Sequence, residues 1–207
     1  MTLISLPDTC ERDIDLLLLE ELVAGGEFHT WFLGRLGMEQ GLRLLEARRS
    51  VKTENGESDL DLLFEGEMGQ VRILVENKID APLQPLQPER YAQRASQYVN
   101  TGLYRRVITV VVAPRIYFGE RPTGFDVQVL YEELLDWFEQ ADNGLDNRRR
   151  YKIALFRSAI ERGRSGWKLV PDERVGAFWR SYWELAERVG SELSMPMPKQ
   201  GIPRQSH

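Results

Sequence analysis

Two closely spaced apolar runs constrain this chain more than any other feature. Asp59–Phe64 and Val71–Lys78 flank the stretch Glu65-Gly66-Glu67-Met68-Gly69, a connection short enough to demand an antiparallel hairpin. Both runs carry charge inside apolar sequence: Asp59 and Asp61 in the first, Glu76 and Lys78 in the second. If Glu67 faces Gln70 across Met68-Gly69, Asp61 falls directly opposite Glu76, with Cβ atoms about 5 Å apart. Met suits a two-residue turn poorly, so a longer loop with that same register is expected. Side chains alternate along a strand, which puts Lys78 on the face of Glu76 and turns Asn77 the other way. Asp59 lies on the face of Asp61 and is its rival.

Two carboxylates side by side in a sheet repel, and each raises the pKa of the other. Leu60, Leu62, Leu63 and Phe64 on one strand and Ile73, Leu74 and Val75 on the other deepen that cost. A divalent cation relieves it. Magnesium is content with one or two carboxylates, keeps several waters and completes its shell with phosphate oxygens. A neighbouring ammonium, Lys78, would position or deprotonate an attacking water, or offset charge on a phosphate.

The rest of the chain frames this hairpin. Asp8 and Glu11 have capping-box spacing ahead of a helix whose Ile14, Leu17, Leu18 and Leu22 recur at helical period, ended by Gly25-Gly26. A short helix follows around Phe28–Leu36, then a strand over Leu42–Thr53 and a turn at Asn55-Gly56. A helix from about Pro88 to Asn100, the β-branched run Val107–Val112, a weaker strand Phe125–Leu130 and a helix Glu132–Gln140 come next. Two further helices are expected, Arg148–Arg162 and one capped by Asp172 with Val175, Phe178, Trp179, Tyr182 and Leu185 on a buried side. The fold class this implies is α/β, a mixed sheet flanked by helices.

Asp61 followed by Glu76-Asn77-Lys78 on the next strand resembles the PD-(D/E)xK nuclease superfamily, the restriction-endonuclease-like fold. The run Val75-Glu76-Asn77-Lys78-Ile79-Asp80-Ala81, followed by Gln87-Pro88-Glu89-Arg90-Tyr91, is similar to the branch that carries E-N-K-I and then Q-x-x-x-Y. Leu60 stands where the motif's name has proline. The resemblance implies an αβββαβ core with additional C-terminal helices, Mg2+ dependence (with Mn2+ as substitute) and phosphodiester hydrolysis, most readily of DNA. It implies metal ligation by Asp61 and Glu76 with the Asn77 carbonyl, catalysis by Lys78, support from Gln87 and Tyr91, and an additional acid at Glu21 on the first helix. A role in defence against foreign DNA such as phage follows from the resemblance alone.

Length and composition set the remaining bounds. With 207 residues the expectation is one nuclease-like domain over 1–190, its core at about 12–130 and a helical elaboration over 131–190, with a tail over 191–207. A single cysteine, Cys10, excludes an internal disulfide framework and a thiolate zinc cluster. No apolar run is long enough to span a bilayer and no signal-peptide pattern opens the chain, so a cytoplasmic protein is expected. The net charge of −5 runs against a nucleic-acid binder. A local basic face, to which Arg90 and Arg94 at i, i+4 are candidates, would reconcile the two, as would a homodimer or a partner protein supplying the binding surface. The rival readings are a catalytically silent interaction module and an RNase or single-strand nuclease. His29, the one histidine outside the tail, is expected to pack beside Phe28 and Trp31 rather than to serve chemistry.

Overall fold

A computed structural model describes residues 6, 9–54, 56–119, 123–140, 146–165 and 173–189. The hairpin forms as β2 (Gly56–Gly66) and β3 (Gly69–Asn77), paired antiparallel. β1 (Arg43–Thr53) joins β2 antiparallel, and β4 (Tyr104–Ala113) and β5 (Val127–Leu130) continue in parallel beyond β3. The result is a mixed five-stranded sheet in the order β1-β2-β3-β4-β5.

Parallel neighbours need a crossover, and α3 (Gln87–Asn100) supplies it between β3 and β4, with Pro88 in its first turn. Helices α1 (Glu11–Ala24) and α2 (Glu27–Arg35) precede the sheet, α4 (Arg115–Phe118) follows β4, and α5 (Tyr131–Gln140) and α6 (Asn147–Ser165) follow β5. Helix, three strands, helix and strand thus occur in the expected αβββαβ order, and the α/β class with a helix-flanked mixed sheet is borne out.

The two faces of the hairpin differ in kind. Leu60, Leu62 and Phe64 on β2 and Val71, Ile73 and Val75 on β3 sink into one core with Ile14, Leu18 and Leu22 of α1 and Phe156 of α6. The opposite face carries Asp59, Asp61, Arg72, Leu74 and Glu76, and Tyr91 of α3 reaches onto it. Val110, Val111 and Val112 of β4 are all fully buried, which explains a β-branched run without alternation.

Three expectations need correction. Gly66 faces Gly69 across Glu67-Met68, one residue earlier than expected on each strand, so Leu60 meets Val75 and Asp61 meets Leu74. The cause is backbone geometry. Gly69 adopts a φ of 111°, which neither Glu67 nor Met68 has to adopt, and the tight turn therefore ends on the glycine instead of enclosing it. At the start of α1 the N-cap is Cys10, whose N–H donates to the Asp13 carboxylate at 2.8 Å; Asp8 lies outside the described residues. The third correction concerns the last helix. His29 meets the Phe64 ring edge-on at 5.4 Å and lines one cavity with Trp31.

The chain divides into two compact units, Met1–Gly166 and Trp167–His207. The second contains α7 (Glu173–Val189), which the sequence reading groups with the nuclease-like domain. Phe178, Tyr182 and Leu185, expected on its buried side, are exposed, and Phe178 and Tyr182 stack on one another with ring centroids 6.2 Å apart. One aromatic stripe at helical spacing is as readily a ladder of rings along the helix as a core face. Its expected cap, Asp172, and the tail 191–207 lie outside the described residues.

Candidate active site

The shift in register moves the acids. Continuing the ladder one place past Leu60 and Val75 brings Asp59, not Asp61, opposite Glu76. The Asp59 carboxylate accepts the backbone N–H of Asn77 at 2.8 Å, which fixes it at the C-terminal end of β3. Because the shift is two residues, Asp61 keeps its face and loses only its neighbour. It sits deeper along the strand, where both of its oxygens accept from Nε and Nη2 of Arg72 at 2.8 Å. Asp61 as the partner of Glu76 is therefore corrected: a bidentate arginine occupies the position the resemblance gives to a cation.

Glu76 is buried and held at both oxygens. Oε1 lies 2.7 Å from the Lys78 ammonium, and Oε2 accepts the Tyr91 hydroxyl at 2.7 Å. The same hydroxyl lies 3.2 Å from the Val75 carbonyl, so Tyr91 ties α3 to the end of β3. Lys78 follows directly after the strand, and its N–H donates to the Val112 carbonyl at 2.9 Å. Burial alone would lower its pKa. Glu76, with Glu11 and Asp59, outweighs that and holds the ammonium above its ordinary value.

Asp59 is the strained member. Burial, then the charge of Glu76, push its carboxyl up to about 7, against the opposing effect of the Asn77 N–H. Asp59, Glu76 and Lys78 line one cleft of about 170 Å³ together with Gln87, Arg90, Tyr91 and Arg94. A second cavity, of about 680 Å³ beside His29, Trp31 and Met38, shares no residue with it.

Asn77 turns away, as strand alternation requires. Its side-chain amide donates to the Glu11 carbonyl at 2.8 Å and to Asp15 at 2.9 Å, and its oxygen accepts the Tyr131 hydroxyl. That clamp draws the first turn of α1 to the site. The Glu11 carboxylate accepts the N–H of Ile79 at 3.0 Å, and burial raises its pKa, with Lys78 and that N–H opposing. Asp15 is pushed up to about 6, chiefly by burial. The acid that α1 brings near the cleft is thus Glu11, which sequence reasoning missed. Glu21, ten residues and so about 15 Å further along the helix, forms an ion pair with Lys152 of α6 and is corrected to a structural partner. A signal existed. Glu11, Asp15, Leu18 and Leu22 form one helical stripe, and acids continuing an apolar stripe ask for a buried partner.

Of the remaining candidates, Gln87 is buried and its side-chain oxygen accepts the Gln84 N–H at 2.9 Å, stiffening the loop into α3. That loop turns through Leu86, a non-glycine residue at φ 59°. Arg90 spends its guanidinium on the Pro85 carbonyl at 2.7 Å and on Gln84 at 3.2 Å. Arg94 is 2% exposed.

Among the described residues no three of His, Cys, Asp and Glu gather into a ready-made metal cluster. Two carboxylates, each with lone pairs beyond those already engaged, still suffice for a hard cation that keeps its waters. The raised Asp59 carboxyl beside Glu76 is the unbalanced negative charge such a cation would neutralise. No described helix is long and apolar enough to cross a membrane.

No family model matches the chain, and no curated protein matches its sequence. Among solved structures it is similar to the small subunit (R.BspD6I2) of the heterodimeric restriction endonuclease R.BspD6I, at 14% identity over 74% of this chain and 94% of that one, with a TM-score of 0.30.

Proposed function

We propose that this chain is a metal-dependent nuclease that hydrolyses phosphodiester bonds, with DNA as substrate, at the notch formed by Asp59, Glu76 and Lys78. The observation that carries the reading is the juxtaposition of two carboxylates, one pushed up to about 7, with an ammonium 2.7 Å from Glu76 in an open cleft. Asp59 and Glu76, with the Asn77 carbonyl, would hold Mg2+ or Mn2+. Once bound, the cation supplies a polarised phosphate and a more acidic water.

The chain's own groups do the rest. Lys78 is held protonated by its acidic neighbours, which favours a role as hydrogen-bond donor to a phosphate oxygen or to the attacking water over one as general base. Tyr91 donates to Glu76 and fixes the plane of that carboxylate, the positioning that outer partners give to metal ligands. Gln87 holds the loop that borders the cleft. A net charge of −5 is compatible with this activity if a second copy or another protein contributes basic surface.

The test is cleavage of labelled duplex DNA, single-stranded DNA and RNA in magnesium or manganese. Duplex DNA is expected to be cut, and Lys78→Ala is expected to slow cutting by about 10²-fold or more. Preferential cutting of RNA or single strands would reassign the substrate. A wild-type protein that binds DNA and cuts nothing would leave an interaction module.

A further inference from the structure

Two arginines, Arg72 of β3 and Arg94 of α3, are buried, and only one of them is neutralised. Arg72 is matched by Asp61 at two nitrogens, donates to the Tyr104 hydroxyl at 2.7 Å and lies 4.2 Å from the centre of the Tyr98 ring. Arg94 is 2% exposed, and its guanidinium sits 4.1 Å over the Tyr91 ring. Neither its Nε nor its Nη1 has a hydrogen-bond partner, and among the described residues it forms no ion pair. A guanidinium cannot shed its proton, so burial without an anion is expensive and a ring face offsets only part of the cost.

Its position indicates which anion it would take. Arg94 lines the acidic cleft with Asp59, Glu76 and Lys78, and it also lines an adjoining groove of about 230 Å³ with Thr53, Glu54, Gln97 and Tyr98. It is the residue common to both walls. We infer that Arg94 is a buried phosphate-binding residue: it receives the backbone phosphate next to the one attacked, and the strand leaves the cleft along the groove between the end of β1 and α3. The inference rests on the nuclease reading and adds to it a path for the bound strand. Arg90, committed to Pro85 and Gln84, is not the residue that does this.

Arg94→Met keeps the shape and removes the charge. The experiment measures binding of a fluorescent oligonucleotide to the full chain in Ca2+, as a function of salt, beside the thermal midpoint of each protein. The expected result is a loss of affinity of about 10-fold or more, a salt slope smaller by about one, and a midpoint no lower than that of the wild type, since an uncompensated buried charge is gone. Arg94→Lys keeps charge and is expected to retain the wild-type slope. A structural arginine gives the reverse, a lower midpoint with oligonucleotide affinity and slope unchanged, and overturns the proposal. If Arg94→Met does not fold, the wild-type midpoint must rise with inorganic phosphate and that rise must survive in Arg94→Lys; no rise, or a wild type that binds no oligonucleotide, also overturns it. Binding and cutting are read separately, so a protein that cuts nothing yet loses its oligonucleotide on Arg94→Met removes the nuclease reading alone.

Discussion

Asp59 and Asp61 stand two residues apart on one face of one strand, and their electrostatic surroundings are opposite. Asp61 is 2% exposed and balanced, with the Arg72 guanidinium gripping both oxygens and Arg48 3.7 Å away. Asp59 faces another carboxylate, accepts one backbone N–H and is left with a pKa near 7. The first arrangement is finished by folding. The second is completed only by something that arrives from solvent, whether a proton or a cation. The pair teaches that burial and charge do not by themselves mark a site; unbalanced charge does.

The largest expected contrast is in activity. Asp59→Asn should reduce metal-dependent cleavage by at least about 10²-fold without lowering the thermal midpoint. Asp61→Ala should act through folding instead: Arg72 is left buried without its counter-ion, at a cost of about 3–5 kcal/mol read from denaturant unfolding. If Asp61→Ala folds normally and is inactive while Asp59→Asn cuts, the two acids have been assigned the wrong way round. Asp61→Leu with Arg72→Met sharpens the point. The double variant should recover most of the lost stability, because an apolar pair can replace a buried ion pair at little cost.

A smaller effect should appear on changing pH. Asp59 and Asp15 both have folded pKa values above their ordinary 3.8, at about 7 and about 6. Protons bound to these groups stabilise the folded state in full below about pH 4, and that stabilisation is lost as pH rises through 6 to 7. The metal-free protein should therefore melt several degrees lower at pH 8 than at pH 5, and magnesium should restore more of the midpoint at pH 8. Asp59→Asn should flatten most of that difference. Tyr91→Phe, which removes one donor from Glu76, should weaken metal binding about 10-fold while cutting persists at saturating metal. Smallest of all, Glu21→Gln should leave cleavage unchanged, since its carboxylate is spent on Lys152.

Much of this is legible in the sequence, and what is not shares a physical cause. Residue types and strand parity were readable, because alternation of side chains is a property of each strand taken alone. Hence Glu76 and Lys78 come together and Asn77 turns away. Register depends on which residue of the turn takes a positive φ, and the difference between Met68-Gly69 and Glu67-Met68 as the turn moves every partner by two residues. The approach of α1 is likewise a tertiary matter. Asn77 holding the backbone of Glu11 and the side chain of Asp15 decides that the start of the helix, and not its end at Glu21, borders the cleft. Arg90 and Arg94 read alike, as candidates for one basic face, because helical spacing cannot say that Arg94 is buried over the Tyr91 ring.

The most direct test is a count of Mn2+ ions bound per chain, by titration followed by electron paramagnetic resonance, in the wild type and in Asp59→Asn at pH 8. One ion held by the wild type and lost in Asp59→Asn, with the variant still folded, is the expected outcome. Undiminished Mn2+ binding in Asp59→Asn would contradict it and place the cation, and the chemistry with it, elsewhere in the chain.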